Sequence, residues 1–120
     1  MRKLTIRNTS GSLAVSSEIV RHIAENATLE VEGVAGIASM LPEPHKTILR
    51  SKAPKDPVLV KMNEGVAFIK VAILVTPEAK ADVVAEKVQR NVKQAVQSMT
   101  GIAVTQVDVM IADVVYAEAQ

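Results

Sequence analysis

Residues 91–114, NVKQAVQSMTGIAVTQVDVMIADV, change their hydrophobic period at a single point. That change constrains the fold more than any other feature of the chain. Before Thr100 the apolar residues recur every three or four positions, the spacing of one helix face. After Gly101 they recur mostly every second position, the spacing of one strand face. A glycine at the switch suits a left-handed cap that ends a helix and turns the chain back. The helix is predicted to begin at Thr76-Pro77-Glu78, with Thr76 as N-cap, Pro77 at the first helical position and a carboxylate behind it. It then runs to about Met99, burying a stripe of Ala81, Val84, Val88, Val92, Ala95, Val96 and Met99. The strand after it, from Ile102 to about Val115, places Val107, Val109 and Ile111 on one face. Thr105–Gln106 interrupts the alternation and predicts a bulge.

Upstream, residues 58–75, VLVKMNEGVAFIKVAILV, form the clearest hairpin, with Asn63-Glu64-Gly65 as a three-residue turn. A first helix follows Ser16 or Ser17 as cap, with Glu18 in its first turn and Ile19, Val20, Ile23, Ala24 and Ala27 on one face. It is expected to end near Leu29. Residues 33–40 read as a short strand that begins with Gly33 and Gly36. Residues 1–12 read as a tail or a weak edge strand at Leu4–Arg7, and Leu13–Val15 as a short strand. Residues 13–116 make one domain, 117–120 a C-terminal tail, and 41–57 a proline-rich, basic loop long enough to be functional or mobile. The fold expected is α/β of the α+β kind. It has two layers, one mixed sheet with both helices on one face, in the order (β)-α-β-β-β-α-β.

The chain has 120 residues, 48% of them hydrophobic, enough for one core. Its apolar residues are mostly Val, Ala and Ile, and Phe68 and Tyr116 are its only aromatics. Fourteen basic and 13 acidic residues nearly cancel, which argues against gripping nucleic acid by bulk charge. With no cysteine there is no disulfide, thiol nucleophile or thiolate metal ligand, in keeping with a reducing cytoplasm. No apolar run is long enough for a signal peptide or a membrane span, the longest being residues 71–75.

Few residues offer chemistry. His22 and His45 lack the spacing of a metal pair. Glu30 and Glu32 form a carboxylate pair at a helix end with no apolar wall or basic partner close in sequence. Gly33-Val34-Ala35-Gly36 has the G-x-x-G form that clamps nucleotide backbone in KH domains, but joins a helix to a strand and follows two glutamates. Lys46, Arg50, Lys52 and Lys55 form a basic loop without a stacking aromatic. The most informative residues lie in the hairpin's second strand. Ala67, Ile69, Val71, Ile73 and Val75 alternate toward the core, yet the opposite face carries Val66, Phe68, Lys70, Ala72 and Leu74. In the last strand Asp108, Met110 and Ala112 oppose the core residues. A back face this apolar reads as a contact surface, with Phe68, Lys70, Leu74 and Met110 as its anchors beside Lys61 and Asp108.

Two stretches carry a family resemblance. AEKVQRNVKQAVQSMTGIAVTQVDVMIADV (85–114) resembles the C-terminal signature of the alkaline shock protein family of bacterial envelope-stress proteins. Val88-Gln89, Met99-Thr100-Gly101, Val104, Val107, Val109 and Ile111 occupy its places. SSEIVRHIAENATLEVEGVAGIAS (16–39) is similar to that family's first helix and Glu-x-Glu-Gly-Val-x-Gly turn. Two features depart from the pattern. Thr76-Pro77-Glu78 stands where a Tyr-Gly is common, and the proline-rich loop replaces a Gly- and Asp-rich linker. The resemblance implies a cytoplasmic, non-enzymatic scaffold of stress or envelope function. Such a protein self-associates or binds a related chain, and some members sit at the membrane through a small membrane-anchored relative; any membrane contact is expected at the surface or through such a partner. No catalytic residue carries over from the family; with few reactive residues and nearly balanced charge, no cofactor, small-molecule substrate or nucleic acid is expected. The alternatives are an RNA-binding module using Gly33–Gly36 and the basic loop, and a small-ligand-binding protein with a pocket beneath that loop.

Overall fold

A computed structural model of the chain describes residues 3–8, 10–38 and 57–116. The elements run β1 (Lys3–Asn8), β2 (Gly11–Ser16), α1 (Ser17–Leu29), β3 (Val34–Ile37), β4 (Val58–Asn63), β5 (Val66–Val75), α2 (Ala81–Thr100) and β6 (Ala103–Val114). The expected order and the α+β class hold.

β5 organises the main sheet. Along one side it pairs in parallel with β6 over its whole length, from Val66↔Ala103 to Val75↔Val114. Its other side is shared, with β4 antiparallel to its first half (Asn63↔Val66 to Val58↔Val71) and β3 antiparallel to its last residues (Ile37↔Ile73, Val34↔Val75). The parallel pair is possible because α2 carries the chain back between β5 and β6. Thr105 is the extra residue of a bulge, since Ala67 faces Val104 while Phe68 faces Gln106. A second bulge falls at Ala112, between the pairs Ile73↔Ile111 and Leu74↔Asp113.

Both helices cover one face. Val20, Ala24 and Ala27 of α1 and Val84, Val88, Val92 and Val96 of α2 join Ala67, Ile69, Val71, Ile73 and Val75 in one buried cluster. Small β-branched residues allow the close helix–sheet approach that this narrow layer needs. The Asn91 side-chain amide donates to the Ala27 carbonyl at 2.7 Å, tying α2 to an orphan acceptor near the end of α1. Ser16 caps α1, its hydroxyl accepting from the Ile19 amide at 3.2 Å. Gly101 ends α2 in the left-handed region, φ 79°, as expected.

Four expectations are corrected. The buried stripe of α2 is confined to Val84, Val88, Val92 and Val96; Ala81 and Met99, at the two ends of the helix, are exposed. The start of α2 lies at Ala81 with Lys80 as N-cap, not at Pro77. The Thr76 amide instead donates to the Gly33 carbonyl at 3.1 Å, and Ala79 N–H to the Thr76 carbonyl at 3.1 Å, so Thr76–Ala79 is a turn held across the fold. The hairpin turn has two residues, because Asn63 pairs with Val66. Glu64 (φ 50°) and Gly65 (φ 86°) both take positive φ, the signature of a type I′ turn. The N-terminus is more than a weak strand beside one sheet. β1 and β2 form a separate two-stranded antiparallel sheet, from Lys3↔Ser16 to Asn8↔Gly11, whose Leu4 and Val15 reach into the main core.

Candidate interaction surface

The back face of the sheet is built by the β4–β5–β6 register. Lys61, Phe68 and Gln106 lie in one row across the three strands, and Leu59, Lys70 and Asp108 in the next. Met110 pairs with Ala72 beyond them. Leu59, Lys61, Phe68, Lys70, Gln106 and Asp108 line one shallow, open depression. Phe68 remains 42% exposed, Met110 38% and Leu59 37%. The Gln106 side-chain amide donates to Asp108 Oδ1 at 2.8 Å, which fixes the carboxylate at the β6 side of the patch. The two lysines lie on β4 and β5. Phe68 and Lys70 therefore stand on the central strand, with Leu59 and Lys61 on the β4 flank and Gln106 and Asp108 on the β6 flank.

Of the residues singled out in sequence, Phe68, Lys70 and Met110 share this exposed face. Leu74 does not. It is only 3% exposed, and Ala72 beside it is equally covered, so the apolar surface stops at the Met110 level. The Leu74 side chain comes within 3.7 Å of where a Cβ on Gly36 would stand, in space the glycine leaves open. Leu59 and Gln106 were not anticipated. The two-residue turn brings Leu59 in, through its pairing with Lys70. A three-residue loop would pair Met62 with Val66 and put Val60, not Lys61, beside Phe68.

The other candidates do not converge. His22 is exposed on α1, and His45 and the basic residues Lys46, Arg50, Lys52 and Lys55 lie outside the described residues. Glu30 and Glu32 are exposed. Glu32 borders a groove with Glu78, Lys80 and Lys87, and both glutamates border a second with Lys87 and Arg90. These grooves hold carboxylates and cations together, with no buried acid–base pair among the described residues. Gly33 has φ 99°, and a Cβ there would stand 2.7 Å from Val84 Cγ2 and 3.1 Å from Ala79 Cβ. Its lack of a side chain thus serves packing under α2. Among the described residues no group of three or more His, Asp or Glu gathers as metal ligands, and no helix is long and apolar enough to cross a membrane.

Comparison with known proteins places the chain. The model of the alkaline shock protein 23 family, described as having a cell envelope-related function, matches residues 5–116. The uncharacterized protein YloU of Bacillus subtilis (strain 168) is 27% identical over 110 residues, 90% of this chain and 92% of that protein. Among solved structures, a single-substitution variant of MamM-CTD has a TM-score of 0.50 at 16% identity, covering 86% of this chain and 100% of that one. The copper form of another MamM CTD variant has the same TM-score, identity and coverage, 0.50, 16%, 86% and 100%. At such identity the likeness is one of fold.

Proposed function

This chain belongs to the alkaline shock protein 23 family, whose described function is related to the cell envelope, and from that premise we propose that it is a non-enzymatic scaffold that self-associates through the back face of its sheet. The observation that carries the reading is the exposed Phe68, set among Leu59, Lys61, Lys70, Gln106 and Asp108. Lys61 on the β4 flank and Asp108 on the β6 flank make the patch complementary to its own copy. Across a two-fold axis parallel to the strands, β4 of one copy faces β6 of the other and Lys61 approaches the Asp108 side. Phe68 supplies the apolar centre, with Leu59 in the next row and Met110 farther along, beyond Lys70 and Asp108; burying such side chains is worth roughly 1.5–3 kcal/mol each. The protein works in the cytoplasm and reaches the membrane through a related, membrane-anchored chain. It needs no cofactor, no small-molecule substrate and no nucleic acid. Support for this over an RNA-clamping role comes from Gly33, whose bare Cα is taken up by Val84 and Ala79.

The test is sedimentation of wild type and Phe68→Asp at matched concentrations. Wild type is expected above the 12.8 kDa monomer mass, and the variant as a folded monomer, since Phe68 is half-exposed and contributes little to the core. A monomeric wild type at high concentration, or an equally assembled variant, overturns the proposal. A steeply salt-dependent affinity for single-stranded RNA would favour the nucleic-acid reading instead.

A further inference from the structure

Among the described residues β6 pairs with β5 and with no other strand, so the second edge of Gln106–Ile111 offers N–H and C=O groups that no strand takes up. Natural edge strands are blunted by shortness, charge, proline, bulges or a covering segment. β6 is 12 residues long, without lysine or proline, and its two bulges at Thr105 and Ala112 leave the run between them regular, with Asp108 as its one charge. Its middle is also left half-covered on both faces. Val109 and Ile111, on the helix side, are half-buried, and Met110 on the back is 38% exposed.

We infer that this edge pairs antiparallel with the same edge of a second copy, about a two-fold axis at Val109, joining the two main sheets into one. The inference rests on the self-association proposed above but places a contact on the strand edge, apart from the back face. The register follows from three constraints. Directly opposed residues must share a face, so the axis passes through a residue and not between two. The pairing must use the regular run between the bulges at Thr105 and Ala112, which is Gln106–Ile111. Axes at Asp108 or Val109 use five residues of that run, and other positions use fewer. An axis at Asp108 sets two carboxylates directly opposite each other, which is unfavourable. An axis at Val109 sets Val109 against Val109 and Val107 against Ile111 on the helix side, and Asp108 against Met110 on the back. The occupant is a second copy because the strand complements itself in this register, apolar against apolar, with no like charges facing.

The chain has no cysteine, so single cysteines report contacts without background from native thiols. Under mild oxidation Val109→Cys is expected to give a species of doubled mass on a non-reducing gel. Met99→Cys, on an exposed site of α2, measures chance collision, and Phe68→Cys reports face-to-face packing. Because Val109 lies on the helix side, contact between back faces cannot join its cysteines. Cross-linking of Val109→Cys no greater than that of Met99→Cys overturns the inference. If Phe68→Cys alone cross-links, the edge pairing fails while back-face association stands; a wild type that sediments as a monomer at all concentrations removes both. Should Val109→Cys fail to fold, hydrogen exchange on wild type replaces it. Protection of β6 amides that rises with protein concentration is the result expected, and protection independent of concentration overturns the pairing.

Discussion

Gly33 shows how one missing side chain holds two parts of the fold together. It follows the Glu30-Val31-Glu32 turn, takes φ 99°, accepts a hydrogen bond from Thr76, and leaves room for Val84 and Ala79. An added methyl meets both penalties at once. It occupies a left-handed conformation that L residues resist, and it presses to 2.7 Å from a valine at the start of α2. Gly33→Ala should therefore cost about 2–4 kcal/mol, above an ordinary surface substitution, in a urea or thermal unfolding experiment. Gly36→Ala is the contrasting case. Its new Cβ sits at 3.7 Å from Leu74, ordinary contact distance, and its loss should be much smaller. The two glycines of one G-x-x-G thus carry unequal structural weight, a difference that a motif match does not reveal.

At the scale of elements, the β4–β5 hairpin carries a correctable strain. Glu64 holds φ 50° in the first central position of its two-residue turn, where asparagine is preferred. It is exposed. Glu64→Asn should raise stability by about 0.5–1 kcal/mol with no change in assembly, read as a higher unfolding midpoint. The same turn marks where sequence reading reached its limit. Local chemistry made the Ser16 cap, the Gly101 cap, the Thr105 bulge and the valine stripe of α2 legible, because each depends on neighbours within a few residues. The beginning of α2 was not, although Thr76-Pro77-Glu78 has the composition of a helix start. The Thr76 amide is held by Gly33, more than forty positions away, and the helix waits for Lys80. Alternation puts Phe68, Lys70, Leu74 and Met110 on one face but says nothing of what covers it: the first two and Met110 are exposed, and Leu74 is buried.

On the scale of the whole molecule, the N-terminal hairpin is part of the core, not a tail. Leu4 and Val15 face each other across β1 and β2, and both are buried. A two-stranded sheet is marginal in water by itself, so its order depends on this anchorage. Removing residues 1–10 should leave the α/β body folded but less stable by about 1.5–3 kcal/mol, the value of burying Leu4, seen as a lower thermal midpoint. A midpoint unchanged within error would mean that the hairpin is an independent appendage. Residues 1–12 would then behave as a tail, one of the two readings their sequence allows.

The sharing of β5 among three partner strands has a consequence for how the molecule opens. β3, β4 and β6 can each fray by giving up one ladder, and the chain can breathe at its rims while most of the sheet persists. Releasing β5 breaks all three ladders and uncovers Ile69, Val71 and Ile73 together. No partial opening includes it, so β5 separates only when the molecule as a whole comes apart.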